Sequence, residues 1–155
     1  MNRTAVCALS YVNAGHNWPV LRRPSGEIER LQIGGLPLGI MPHARYECGS
    51  TSLAGGDLLV IFTDGLVEAE DGKEQEFGEP RMLGILNTVA GKSAGEVLSQ
   101  LMASVDTFVG VARQHDDMTC MVVRRCDKGE CSATGLMIDC ERFYLQRSES
   151  VLQSS

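Results

Sequence analysis

Polar and apolar residues alternate through much of the first sixty positions, the period of strands that turn one face to a core and the other to water. "TAVCALSYV" (4–12) reads as a strand leading into the turn-rich "NAGHN" (13–17). "WPVLRR" (18–23) follows, "PSG" (24–26) makes a tight turn, and "EIERLQI" (27–33) alternates again. Glycines and prolines in "GGLPLGIMP" (34–42) exclude a regular element there. "ARYECGSTSL" (44–53) returns to alternation, and "AGGD" (54–57) turns the chain into the unbroken apolar run Leu58 to Phe62, which predicts a strand covered on both faces. The whole of residues 4–63 is therefore expected to be β-structure, built from successive antiparallel strands.

The period then changes. Met82, Leu83, Ile85, Leu86 and Val89 recur at helical spacing within "GEPRMLGILNTV" (78–89). A second helix is expected in "SAGEVLSQLMASVDTFVG" (93–110), opened by a capping box of Ser93 and Glu96 and carrying Val97, Leu98, Leu101, Val105 and Phe108 on one face. Met118 to Val123 reads as a final strand that exits through Arg124 and Arg125. Strands, two helices and a last strand predict an α+β fold with helices packed on antiparallel sheet. From Cys126 the chain turns polar and serine-rich, so the expected division is a domain over 1–125 and an appendage over 126–155 with poor order at its end.

Composition narrows the function classes. The chain has 155 residues, 43% of them hydrophobic, enough for one domain with its own core. A net charge of −6 opposes non-specific attraction to nucleic acid or an anionic membrane, and neither is expected as a partner. No apolar run approaches the length of a membrane span and no signal-peptide layout opens the chain, which points to a soluble, cytoplasmic protein. The six cysteines, Cys7, Cys48, Cys120, Cys126, Cys131 and Cys140, form no C-x-x-C pair and are expected as free thiols rather than zinc ligands.

The chemistry-bearing residues lie where strands end. Asp64 follows the buried run directly, and the pair Asp116 and Asp117 precedes the last strand. If those strands are antiparallel neighbours, all three carboxylates collect at one rim. Two carboxylates at ~4 Å repel by roughly 4 kcal/mol at an effective dielectric near 20, so such a rim takes up a proton or a cation. Oxygen ligands suit Mg²⁺ or Mn²⁺. The plainer alternative stays open: Asp64-Gly65 is also a common turn dipeptide, and an acidic pair before a strand is often a solvated loop. In "NAGHN" a turn reading is favoured, with Gly15 at positive φ and His16 and Asn17 tying up loop carbonyls. Gly34, Gly35 and Gly39 read as backbone devices and Trp18 as a packing residue. Gly91-Lys92-Ser93 mimics the end of a P-loop but lacks its upstream glycine, and reads as a helix connection.

Taken in order, "YVNAGHN", "GGLPLGI", "GGDLLVIFTDGLVEAED", "FGEPRM" and "HDDMTCMVVR" resemble the phosphatase domain of the SpoIIE and RsbU type, within the metal-dependent, PP2C-like protein phosphatases, over roughly residues 4–125. The resemblance implies an α-β-β-α sandwich and a phosphoserine/phosphothreonine phosphatase of bacterial signalling. Asp64 and Asp116 match metal-ligating aspartates of the family, with Asp117 a further candidate and Gly15, His16 and Gly65 as residues that shape the site. It further implies two Mn²⁺ or Mg²⁺ ions and a metal-activated water attacking phosphorus in line, with no nucleophilic side chain. The implied substrate is a phosphorylated protein of the anti-anti-sigma-factor kind. The family also uses an upstream acidic element followed by a glycine-rich stretch. Here the first aspartate is Asp57, so the expectation is an N-terminally truncated domain, and the alternative is a non-catalytic interaction module.

Overall fold

The structure, a computed structural model, describes residues 7–112 and 116–126. Its elements run β1 (Cys7–Tyr11), β2 (Asn13–Ala14), β3 (Val20–Arg22), β4 (Ile28–Arg30), β5 (Gly34–Gly35), β6 (Gly49–Leu53), β7 (Leu58–Phe62), α1 (Asp64–Val67), α2 (Gly78–Asn87), α3 (Ala94–Val109) and β8 (Cys120–Arg124). Strands β4-β3-β7-β8 form an antiparallel four-stranded sheet, and β1 pairs with β6 in a second, two-stranded antiparallel sheet. The expected mixture of antiparallel sheet and packed helices is thus the observed one. A two-residue parallel pairing of β2 with β5 departs from the purely antiparallel expectation, and it places Gly34 and Gly35 in a strand where no regular element was expected.

The core lies between the four-stranded sheet and the helices. Leu58, Val60 and Phe62 of β7, Val20 of β3 and Val122 of β8 pack with Met82 and Leu86 of α2 and Val97, Leu101 and Val105 of α3. Within β7, Leu59 and Ile61 are only half-buried, so the strand is sealed on its helix face and partly covered on the other. The other face is closed around Leu21, the fully buried cross-strand partner of Leu59. The uninterrupted apolar run hid this asymmetry, because period two carries no signal where both phases are apolar.

Helix α3 starts as its sequence dictates: the Ser93 hydroxyl accepts from the Glu96 amide at 3.3 Å, and the Glu96 carboxylate accepts from the Ser93 amide at 2.8 Å. Two otherwise orphaned donors are satisfied reciprocally. The Phe77 and Phe108 rings meet edge to face at 5.5 Å between centroids and close the base of α2 on α3.

Three expectations are corrected. Trp18 does not pack in the core but is 52% exposed, and its carbonyl accepts from Arg30 Nη1 at 3.2 Å. The strand expected over 44–53 is confined to Gly49–Leu53, since His43 adopts a φ of 64° and residues 44–48 follow an irregular path. The last strand begins at Cys120 rather than Met118, although the Met118 side chain is in the core. Of the described cysteines, Cys7, Cys48 and Cys120 are free thiols as expected. Burial pushes the Cys120 thiol up to about 12. Cys131, Cys140 and nearly all of the expected 126–155 appendage lie outside the described residues, and no helix among the described residues is long and apolar enough to cross a membrane.

Candidate metal centre

The register of β7 against β8 builds the site. Phe62, the last residue of β7, pairs with Cys120, the first of β8, so the chain leaving one strand lies beside the chain entering the other. Thr63 extends the contact. Its amide donates to the Thr119 carbonyl at 3.0 Å, and its hydroxyl accepts from the Thr119 amide at 3.0 Å and donates to the Asp117 carbonyl at 3.2 Å. Thr63 is the extended N-cap residue of α1 but makes no side-chain cap bond, because its hydroxyl is committed across the strand. The one-turn helix α1 was not expected from the sequence, where four residues are too few to show a helical period.

Gly65 then allows close approach. A β-carbon at this position would stand 2.7 Å from the Asp117 carbonyl oxygen and 3.4 Å from the Asp116 β-carbon. The first of these is closer than real contacts permit, so the absent side chain is what lets α1 lie against the Asp116-Asp117 backbone. The segments that carry Asp64 and Asp116 thereby lie against each other, and both residues are exposed. Asp64 Oδ1 accepts from the Gly65 amide at 3.0 Å and Asp116 Oδ1 from the Asp117 amide at 2.7 Å. Asp117 is also exposed, and its backbone carbonyl, rather than its carboxylate, is the group that the Thr63 hydroxyl engages.

Gly15 and His16 belong to a different loop, between β2 and β3. Gly15 has a φ of 80° and abuts Pro37. The loop is held chiefly by Asn13, whose side-chain amide donates to the His16 carbonyl at 2.9 Å and whose Oδ1 accepts from the His16 amide at 2.8 Å. His16 Nδ1 lies 3.1 Å from the Asn17 carbonyl, so His16 does engage a loop carbonyl as expected, while the main tie is Asn13. Asp57 is structural: 1% exposed, its Oδ2 accepts from Arg23 Nη1 at 2.5 Å and from the Ala54 amide at 2.7 Å.

Beside the rim opens a cleft of about 510 Å³ whose lining includes Gly65, Glu68, Glu70, Glu76, Asp106 and Asp116. No lysine or arginine is among the described residues that line it. Sequence reasoning missed this acidic wall, since Glu76 and Asp106 come from separate elements and nothing local links them to Asp64. Among the described residues no group of three or more His, Cys, Asp or Glu side chains is placed to hold a metal ion, so Asp64, Asp116 and Asp117 do not form the three-carboxylate cluster expected. The donor chemistry nonetheless fits a hard cation: Mg²⁺ is commonly held by one or two carboxylates and keeps several waters, with no need for an all-protein cage.

Comparison with known proteins agrees with this architecture. The family model for Stage II sporulation protein E (SpoIIE) matches residues 4–126. The chain belongs to the SpoIIE family of PP2C-like phosphatases. Among curated proteins it is similar to Protein IcfG of Synechocystis, 29% identical over 117 residues. Among solved structures it is similar to the PP2C phosphatase domain of SpoIIE from Bacillus subtilis, solved with a fragment of its regulatory domain (TM-score 0.64, 26% identity over 77% of this chain). The SiaA PP2C domain of Pseudomonas aeruginosa has the same fold (TM-score 0.64, 21% identity over 76% of this chain). The chain spans 18% of IcfG, 35% of the SpoIIE structure and 46% of the SiaA domain.

Proposed function

We propose that this chain carries part of the catalytic centre of a metal-dependent phosphoserine/phosphothreonine phosphatase of bacterial signalling, with Asp64 and Asp116 as cation ligands and Asp117 as a candidate beside them. The observation that carries the reading is the β7–β8 pairing, which leaves the Thr63-Asp64-Gly65 turn against Asp116 and Asp117. Mn²⁺ or Mg²⁺, two ions in the family's complete domain, would supply charge neutralisation at the phosphoryl group and a bound water of lowered pKa. The protein's own contribution is positional. Thr63 fixes the two strand ends, Gly65 sets their separation, and the Asp64 and Asp116 carboxylates each have one oxygen oriented by a neighbouring amide. In this reading Gly15 and His16 shape a neighbouring loop, and the substrate is a phosphorylated protein, of the anti-anti-sigma-factor kind by family analogy.

A second reading, a non-catalytic module that binds a signalling partner, is favoured by one observation: the described residues include no closed three-ligand group. Hydrolysis of p-nitrophenyl phosphate in Mn²⁺ separates the two. The chain supplied with the upstream half of a SpoIIE-type domain is expected to turn over, the chain alone little or not at all, and Asp64→Asn in the completed domain to abolish turnover without unfolding. A completed, folded domain with no Mn²⁺-dependent turnover supports the non-catalytic reading.

A further inference from the structure

At the far end of the sheet from Asp64, the strand register lines up Arg22 of β3, Leu58 of β7 and Arg124 of β8. Val20, Leu58 and Val122 face the helices, so the two-residue period of the strands turns Arg22 and Arg124 to that same side. Two guanidinium groups therefore flank Leu58 under the connection between α2 and α3.

Arg22 is only 5% exposed, yet among the described residues no carboxylate pairs with it: Glu29 and Asp57 pair with Arg23, and Glu79 with Arg30. Its Nη1 donates to the Arg23 carbonyl at 3.2 Å, and its buried Nε has no partner. A buried cation without a counter-charge is unfavourable, and an unmade hydrogen bond from a charged donor adds to the cost. The connection supplies a third cation. Arg124 Nη1 donates to the Lys92 carbonyl, and Lys92 Nζ donates to Gln100 Oε1 at 2.5 Å. Between them lies a cavity of about 60 Å³ lined by Arg22, Leu58, Val89, Gly91, Lys92 and Arg124 among others, with no carboxylate among its described lining residues. That is room for about four waters, and so for the four oxygens of one tetrahedral anion.

We propose that this cavity is a binding site for a tetrahedral oxyanion, a phosphate group, held by Arg22, Arg124 and Lys92. Guanidinium groups match phosphate oxygens in shape as well as charge, and the three cations exceed the charge of Glu96, the carboxylate whose field acts on Lys92 and Arg124 from outside the cavity lining. The start of α3 is not the source of affinity, since Ser93 and Glu96 already cap it. β7 separates this site from the Asp64 rim by about 13 Å, at ~3.3 Å per residue. An occupant here is therefore distinct from one undergoing hydrolysis at the rim.

The anion can be free inorganic phosphate or a phosphoryl group carried on a serine side chain. Calorimetric titration with inorganic phosphate and, separately, with O-phosphoserine tests both. EDTA removes divalent cations and so suppresses binding at the rim. Saturable one-to-one binding is expected, with amide shifts at Gly91 and Lys92 rather than at Gly65. Binding of inorganic phosphate supports a free ion; binding of phosphoserine alone supports a carried group. Lys92→Ala, which keeps the backbone carbonyl that Arg124 engages, and Arg124→Gln are each expected to weaken binding on the order of tenfold, as loss of a charged hydrogen bond does. Failure of both ligands to bind, shifts centred on Gly65, or unchanged affinity in both variants would overturn the proposal.

Discussion

Thr63 and Thr119 are joined twice across the ends of β7 and β8, once from the Thr63 amide to the Thr119 carbonyl and once from the Thr119 amide to the Thr63 hydroxyl, each at 3.0 Å. The same hydroxyl donates to the Asp117 carbonyl, so one side chain ties together both sides of the rim. Thr63→Val keeps the shape and the backbone bond but removes the two hydroxyl bonds, leaving the half-buried Thr119 amide without its acceptor. The expected loss is about 1–3 kcal/mol in a urea melt, with Thr63→Ser close to the parent. Equal stability of the Val variant and the parent would show that the hydroxyl contributes nothing.

Gly65 sets how closely α1 approaches the Asp116-Asp117 segment. Gly65→Ala puts a methyl group 2.7 Å from the Asp117 carbonyl oxygen, a contact that backbone must move to relieve. A loss of about 1–3 kcal/mol is expected, with amide shifts concentrated at Asp116 and Asp117. Unperturbed amides there would mean that the two segments have slack.

The Ser93 amide and then the Ser93 hydroxyl hold the Glu96 carboxyl below the ordinary glutamate range. A depressed folded-state pKa contributes stability that is present above the unfolded value and is lost as pH falls through the folded one. The α3 cap therefore weakens on acidification, and Glu96→Gln should flatten this part of the acid limb of a stability–pH profile. Ser93→Ala should cost roughly 1 kcal/mol at neutral pH.

Helices α2 and α3 and their connection were legible in the sequence because each carries its own period, and α3 also its cap. The pairing of β7 with β8, and with it the neighbourhood of Asp64 and Asp116, followed once two apolar strands were taken as antiparallel neighbours. What stayed hidden depends on contacts distant in sequence. Trp18 reads as a packing residue by size alone, but it lies outside the core and is half exposed. Arg22 reads as a strand-end charge, and only the cross-strand row reveals it as buried without an acid. Gly65 reads as turn chemistry, while its role is to leave space for another segment.

The direct test of cation binding at the rim is a Mn²⁺ titration of the ¹⁵N-labelled chain, with paramagnetic broadening read residue by residue. Selective broadening of the Gly65 and Asp117 amides is predicted, reversed by excess Mg²⁺ and lost in Asp64→Asn while the rest of the spectrum is retained. Broadening that is uniform along the chain, or that persists at Gly65 and Asp117 in folded Asp64→Asn, would contradict the assignment of Asp64 as a cation ligand.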